Sequence, residues 1–323
     1  MRGRSTTGSW LLAAWAAACV VGGPQARGED LYFDSAGVRL RYTVTGDGPP
    51  VLLVHGFAVN IEFNWLGVIE DLARDYRVVA FDCRGHGKSG KPHDPGQYGR
   101  QMVDDAVRLL DHLAIERAHV VGYSMGSLIA GRVAAYHPDR VASLVLGGGG
   151  VKLAGRVGGI PEELARSLEA TGSFEPLIRA LHPPERPAPT AVQIAATNAF
   201  LSAFNDPRAL AAVVRSFGVV QEETPATFAP LGRLPVLSVI GDEDPLGESL
   251  PSTRRLVPGL REASIPQADH MTLLTDPRFV GEIRAFLAEQ PDPRGGVAAD
   301  RASSGPLEAA DGLLEEAAAG AAR

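Results

Sequence analysis

Gly122-Tyr123-Ser124-Met125-Gly126 decides how this chain is read. The pentapeptide follows a short apolar run, Ala118-His119-Val120-Val121, and opens a helical stretch from Ser127 to Ala135. A G-x-S-x-G match in that strand–turn–helix setting is a nucleophile elbow. The turn is tight enough to hold its middle residue in a strained backbone conformation, and glycine on both sides removes Cβ atoms that would collide. The serine hydroxyl is then lifted clear of the sheet, at the start of a helix whose free N–H groups stabilise negative charge.

A serine hydroxyl needs a base to take its proton and an acid to orient that base. In the strand–turn–helix hydrolase architecture the chain order is Ser, then Asp or Glu, then His. Of eight histidines only His137, His182 and His270 follow Ser124. His137 ends the helix after the elbow, just before Pro138, and His182 precedes Pro183-Pro184 in an inserted segment. His270, in the loop Pro266-Gln267-Ala268-Asp269-His270 after a short strand, is the expected base. The acid is expected in Gly241-Asp242-Glu243-Asp244, directly after the apolar strand Val236–Ile240. Crowding three like charges in one loop is costly, which argues against an accident of surface composition. Asp244 is the choice, with Asp242 the alternative.

The oxyanion needs two backbone donors. One is the N–H of Met125, and the other is that of Phe57, carried past the strand Val51–His55 by Gly56. His55 precedes the serine in chain order and reads as a structural hydrogen-bonding residue.

His55-Gly56-Phe57, Asp82-Cys83-Arg84-Gly85-His86-Gly87-Lys88-Ser89, the Ser124 pentapeptide, Gly241-Asp242-Glu243-Asp244 and Asp269-His270 together resemble the α/β-hydrolase family, over about residues 30 to 290. The resemblance supports Asp244 over Asp242, since the family carries its acid at the end of Gly-x-x-Asp. It implies a structural role for the Arg84–Ser89 turn. It also implies that epoxide hydrolysis and dehalogenation of the usual kind, which use an aspartate nucleophile, are excluded by the serine.

Hydrophobic residues make up 45% and charged residues 21%, the balance of a globular enzyme. A net charge of −7 without a basic cluster argues against a nucleic acid or an anionic membrane surface as partner. Arg2, Arg4 and the apolar run from Trp10 to Val21 read as a secretory signal over residues 1–28, giving an exported protein, secreted or periplasmic, with no stable membrane span in the mature chain. A lipoprotein anchor at Cys19 is the weaker alternative. With Cys19 in the leader, Cys83 stands alone, so no intramolecular disulfide is expected.

Strands are expected at Val38–Thr45, Val51–His55, Arg77–Phe81, His119–Gly122, Val141–Gly147, Val236–Ile240 and Glu262–Ile265, with helices at Trp65–Arg74, Arg100–Leu113, Met125–Tyr136 and Pro277–Gln290. Apolar strands alternating with helices give an α/β fold with a mostly parallel, doubly wound sheet. Four helical stretches, Pro161–Thr171, Phe174–His182, Thr190–Asn205 and Pro207–Gly218, interrupt it. The expected organisation is a core of 29–150 and 231–290, a helical cap over 151–230 acting as a lid, and a disordered tail over 291–323. Leu177, Ile178, Phe200, Leu201, Phe204 and Phe217 are candidates to line an apolar pocket or simply to pack.

The expected activity is cleavage of a small apolar carboxylic ester through an acyl-enzyme on Ser124, His270 and Asp244, with no cofactor and no metal. Lactonase, amidase, carbon–carbon bond hydrolase and perhydrolase chemistry remain open on the same residues. A non-catalytic small-ligand-binding protein is the alternative from another class.

Overall fold

The computed structural model describes residues 29–152, 160–216 and 224–295. The signal reading, Cys19, Phe217 and the tail beyond residue 295 lie outside the described residues.

Val51, Leu52, Leu53 and Val54 are all fully buried. Their strand, β3 (Pro50–Val54), runs parallel to β4 (Arg77–Phe81) on one side and to β5 (Ala118–Tyr123) on the other. A strand covered on both faces must be apolar throughout. The two-residue period then divides its side chains: Leu52 and Val54 join one core layer, Val51 and Leu53 the other. β4 and β5 split the same way, with Val79, Phe81 and Val120 against Val78, Ala80 and Val121. Each such side chain contributes roughly 1.5–3 kcal/mol by leaving water.

Around this centre lie β1 (Leu31–Ser35), β2 (Val38–Thr45), β6 (Val141–Gly147), β7 (Val236–Gly241) and β8 (Arg261–Ile265), in the order β1-β2-β4-β3-β5-β6-β7-β8. β1 pairs antiparallel with β2, and β2 antiparallel with β4; the rest are parallel. From β3 the chain winds first toward β4 and then back to β5. The carboxyl ends of β3 and β5 therefore flank the point where the winding reverses, where open α/β sheets leave a crevice. Gly56 and Ser124 emerge there.

The helices are α1 (Ile61–Asn64), α2 (Val68–Leu72), α3 (Arg100–His112), α4 (Met125–Tyr136), α5 (Pro161–Thr171), α6 (Glu175–Ala180), α7 (Ala191–Ser202), α8 (Pro207–Ser216), α9 (Leu250–Leu256) and α10 (Pro277–Ala288). Every residue of α4 from Met125 to Ala135 is buried, and 3-10 turns over Pro225–Arg233 pack Phe228 and Leu231 into the same core layer. α5 to α8 form the excursion between β6 and β7. α8 is buried from Ala209 to Val214, whereas α7 buries only Ile194 and leaves Val192 78% exposed. Among the described residues no helix is long and apolar enough to cross a membrane.

Two expectations need correction. Of the single helix expected over Trp65–Arg74 only the short α2 is helical; the buried Trp65 instead caps the end of α1, which precedes the expected range. Gly67, at φ 77°, breaks the run because it takes a left-handed conformation that serves as the N-cap of α2. The strand β1 was not expected; it closes on β2 through Ala36 (φ 54°) and Gly37 (φ 82°), a two-residue turn whose positive φ values suit the twist of a hairpin.

Candidate active site

β5 ends at Tyr123, and Ser124 follows at φ 54°, ψ −114°. For a residue with a Cβ such a conformation costs about 1–3 kcal/mol and persists only where the surroundings enforce it. Here the Ser124 N–H donates to Gly147 O at 2.8 Å. The Ser127 hydroxyl is within 3.0 Å of both Gly122 O and Gly147 O. The flanking glycines are required by close approach: a Cβ at 122 would stand 2.2 Å from Gly126 O, and one at 126 would stand 1.9 Å from Val54 O.

His270 lies in the loop after β8, almost fully buried. Its Nδ1 is 2.8 Å from Asp244 Oδ2 and its Nε2 is 3.0 Å from Ser124 Oγ. An ionised carboxylate only accepts, so Nδ1 carries the proton and the Nε2 lone pair receives the serine hydroxyl. Asp244 Oδ1 accepts the Leu246 N–H at 2.9 Å. The side chains of Asp244 and His270 are 0% and 4% exposed, so the pair is shielded from competing water. Tyr123 supports the imidazole from behind: its hydroxyl donates to His270 O, and its ring lies 5.3 Å from the imidazole centroid. Burial pushes the Tyr123 phenol well up, which keeps it a neutral donor.

The three carboxylates after β7 have separate tasks. Asp242 is exposed and accepts the Gln267 N–H at 2.6 Å, bracing the loop that leads to His270. Glu243 pairs with Arg186. Asp244 bonds the imidazole. His137 caps the end of α4 and faces Asp104 at 3.7 Å, and His182 bonds Pro187 O at 2.8 Å within the cap excursion. Ser124, His270 and Asp244 are thus brought together across 146 and 26 residues of chain.

Met125 is the first residue of α4, where an N–H has no intrahelical acceptor. Phe57 follows Gly56, and a Cβ at Gly56 would stand 3.4 Å from Ser124 Cβ, so the loop after β3 lies directly against the serine. Asn64, fully buried, fixes this loop by accepting the Gly56 N–H at 2.8 Å. His55 is committed to the backbone: Nε2 accepts the Cys83 N–H at 2.9 Å and Nδ1 donates to Gly56 O at 2.7 Å. Burial holds both His55 and His86 below the ordinary histidine range, consistent with neutral scaffold residues. Tyr123, Asn64 and Arg186 were missed in the sequence; each acts through partners remote in the chain, and only the pattern of strand ends hints at their placement.

A family model described as the alpha/beta hydrolase fold matches residues 49–166. The same architecture is found in the enol-lactonase of Burkholderia xenovorans LB400, with TM-score 0.66 and 21% identity over 80% of this chain and 100% of that one. This chain has the α/β-hydrolase fold. The chain is also similar to a hydrolase from Pseudomonas aeruginosa PA01, with TM-score 0.64 and 25% identity over 81% of this chain and 99% of that one. Among curated relatives, a 2-hydroxymuconate semialdehyde hydrolase of Pseudomonas sp. (strain CF600) is 37% identical over 44% of this chain and 48% of its own length. A fluoroacetate dehalogenase of Burkholderia sp. is 40% identical over 35% of this chain and 38% of its own length. The chain thus spans less than half the length of each of these two relatives.

Proposed function

We propose that this chain is a serine hydrolase that cleaves a carboxylic ester through an acyl-enzyme. The observation that carries the reading is the series Ser124–His270–Asp244, hydrogen-bonded at 3.0 and 2.8 Å, with His270 and Asp244 buried behind the serine. Ser124 Oγ attacks the carbonyl carbon while His270 Nε2 takes its proton. His270 then returns the proton to the leaving alcohol, and Asp244 stabilises the imidazolium. The N–H groups of Phe57 and Met125 receive the oxyanion, each worth about 3 kcal/mol in the transition state. Water repeats the sequence to release the acid.

We favour an apolar acyl or alcohol group in the substrate, because aromatic side chains gather where the cap excursion meets α1. Phe63 of α1 meets Phe200 and Phe204 at ring centroid distances of 5.2 and 4.8 Å. Asn205 donates to Ala58 O at 3.0 Å and so seats the end of the cap excursion over the loop that carries Phe57. We read the excursion as a lid that excludes water, and residues 1–28 as an export signal; the mass of the mature N-terminus tests the latter.

Hydrolysis of p-nitrophenyl esters of graded acyl length, with lactones in parallel, tests the activity. The expected result is ester turnover that Ser124→Ala abolishes. Folded protein that hydrolyses no member of the panel, or Ser124→Ala retaining full turnover, contradicts the reading.

A further inference from the structure

Arg186 lies in the cap excursion between α6 and α7, among Pro183, Pro184, Pro187 and Pro189. Its Nε donates to Glu243 Oε2 at 2.8 Å and its Nη1 to Asp269 Oδ2 at 2.6 Å. These two acceptors are the residues immediately before Asp244 and His270. One cap side chain therefore ties the loop that carries the acid to the loop that carries the base. The other oxygen of Asp269 folds the base's own turn, accepting Met271 N–H at 2.9 Å, Thr272 N–H at 2.8 Å and the Thr272 hydroxyl at 3.0 Å. Burial works to raise the Asp269 carboxyl, but the Thr272 and Met271 donors and the Arg186 charge outweigh it and hold the group below the usual carboxylate range. Asp269 is only 10% exposed in its side chain and Arg186 31%, so the contact is better shielded than a surface pair. A planar guanidinium can bridge two carboxylates in fixed geometry, which an ammonium cannot.

We propose that Arg186 is a positioning residue: acting from the cap, it holds the Asp244 and His270 loops at the separation their hydrogen bond requires. The inference rests on the roles proposed above for Ser124, His270 and Asp244. Small displacements suffice to matter, since misplacing a reacting group by about 1 Å costs on the order of a hundredfold in rate. Arg179 provides the contrast, because its partner Glu175 lies in the same helix, α6.

The test is the rate at which a fluorophosphonate modifies Ser124, measured with kcat, KM and Tm. Arg186→Gln is expected to slow both modification and kcat by about tenfold or more while KM stays within about twofold. Arg186→Lys, which keeps the charge and loses the fork, should fall between Arg186→Gln and the wild type, and Arg179→Gln should match the wild type. Glu243→Gln removes a partly exposed partner and should slow both rates by about threefold or more; it and Arg186→Lys decide the matter should Arg186→Gln not fold. Wild-type modification rates in folded Arg186→Gln, or a change confined to KM, overturn the inference. Failure of the wild type itself to be modified at Ser124 is a separate outcome, which removes the serine's role and this inference with it.

Discussion

Asp244→Ala and Asp242→Ala form a pair of perturbations whose effects should differ by orders of magnitude. The Asp244 carboxylate has no solvent exposure in its side chain and accepts from His270 Nδ1 at 2.8 Å and from Leu246 N–H at 2.9 Å. Its removal leaves two buried donors without an acceptor, each costing about 1–3 kcal/mol. It also frees the imidazole to take the other tautomer, in which Nε2 is protonated and cannot accept from Ser124. The expected loss is about 10⁴ in kcat, or about 5.5 kcal/mol of transition-state stabilisation. KM should stay within about threefold, because a group that binds substrate and transition state alike is not what was removed. Asp242 is exposed, and its bond to Gln267 N–H at 2.6 Å braces a residue held at φ 64°. Its loss should lower stability by about 0.5–1.5 kcal/mol and leave kcat within about threefold. Steady-state kinetics on a p-nitrophenyl ester, with thermal melts of both variants, measures the contrast. Equal losses, or a greater loss in Asp242→Ala, would refute the assignment of the acid.

Gly126→Ala would place a Cβ 1.9 Å from Val54 O and 2.8 Å from His55 O, so α4 must move off β3; a destabilisation above about 3 kcal/mol is expected, seen as a large fall in Tm, and a wild-type Tm counts against the close approach. Tyr123→Phe removes the hydroxyl that bonds His270 O, and should cost about 1–2 kcal/mol in urea unfolding together with a several-fold fall in kcat. His119 is buried on β5 beside Ser143, and burial pushes its imidazole down to about 4 against the pull of Asp292. The folded protein therefore keeps it neutral while the unfolded chain gains a proton below about pH 6.5, so its contribution is whole above that pH and is lost as pH falls toward 4, by about 3 kcal/mol. Urea unfolding at pH 7 and pH 4.5 should show that loss in the wild type and a smaller one in His119→Gln; identical losses contradict it.

The central strands and the serine turn were legible because their causes are local. Val51–Val54 is apolar throughout, which suits a strand covered on both faces, and the glycines of the elbow announce a close approach. His270 followed from chain order, which left three histidines, and from its place in a loop after a short strand. The choice among Asp242, Glu243 and Asp244 did not follow from the residues themselves, since it depends on which carboxylate turns inward after β7; exposure separates them only in three dimensions. Arg186 was invisible for the same reason, its partners lying 57 and 83 residues away. β1 escaped because a five-residue edge strand carries little hydrophobic signal, with Phe33 and Ser35 its only buried side chains. The helix assigned to Trp65–Arg74 failed at one residue, Gly67, whose left-handed conformation divides the segment.

Intact-protein mass spectrometry of an ester reaction quenched in acid within the first turnovers addresses the covalent step itself. The expected spectrum contains a species heavier by one acyl group, mapped by peptide sequencing to Ser124, absent from Ser124→Ala and slow to form in His270→Ala. Rapid ester turnover with no adduct at any quench time, or an adduct that persists in Ser124→Ala, would contradict the account.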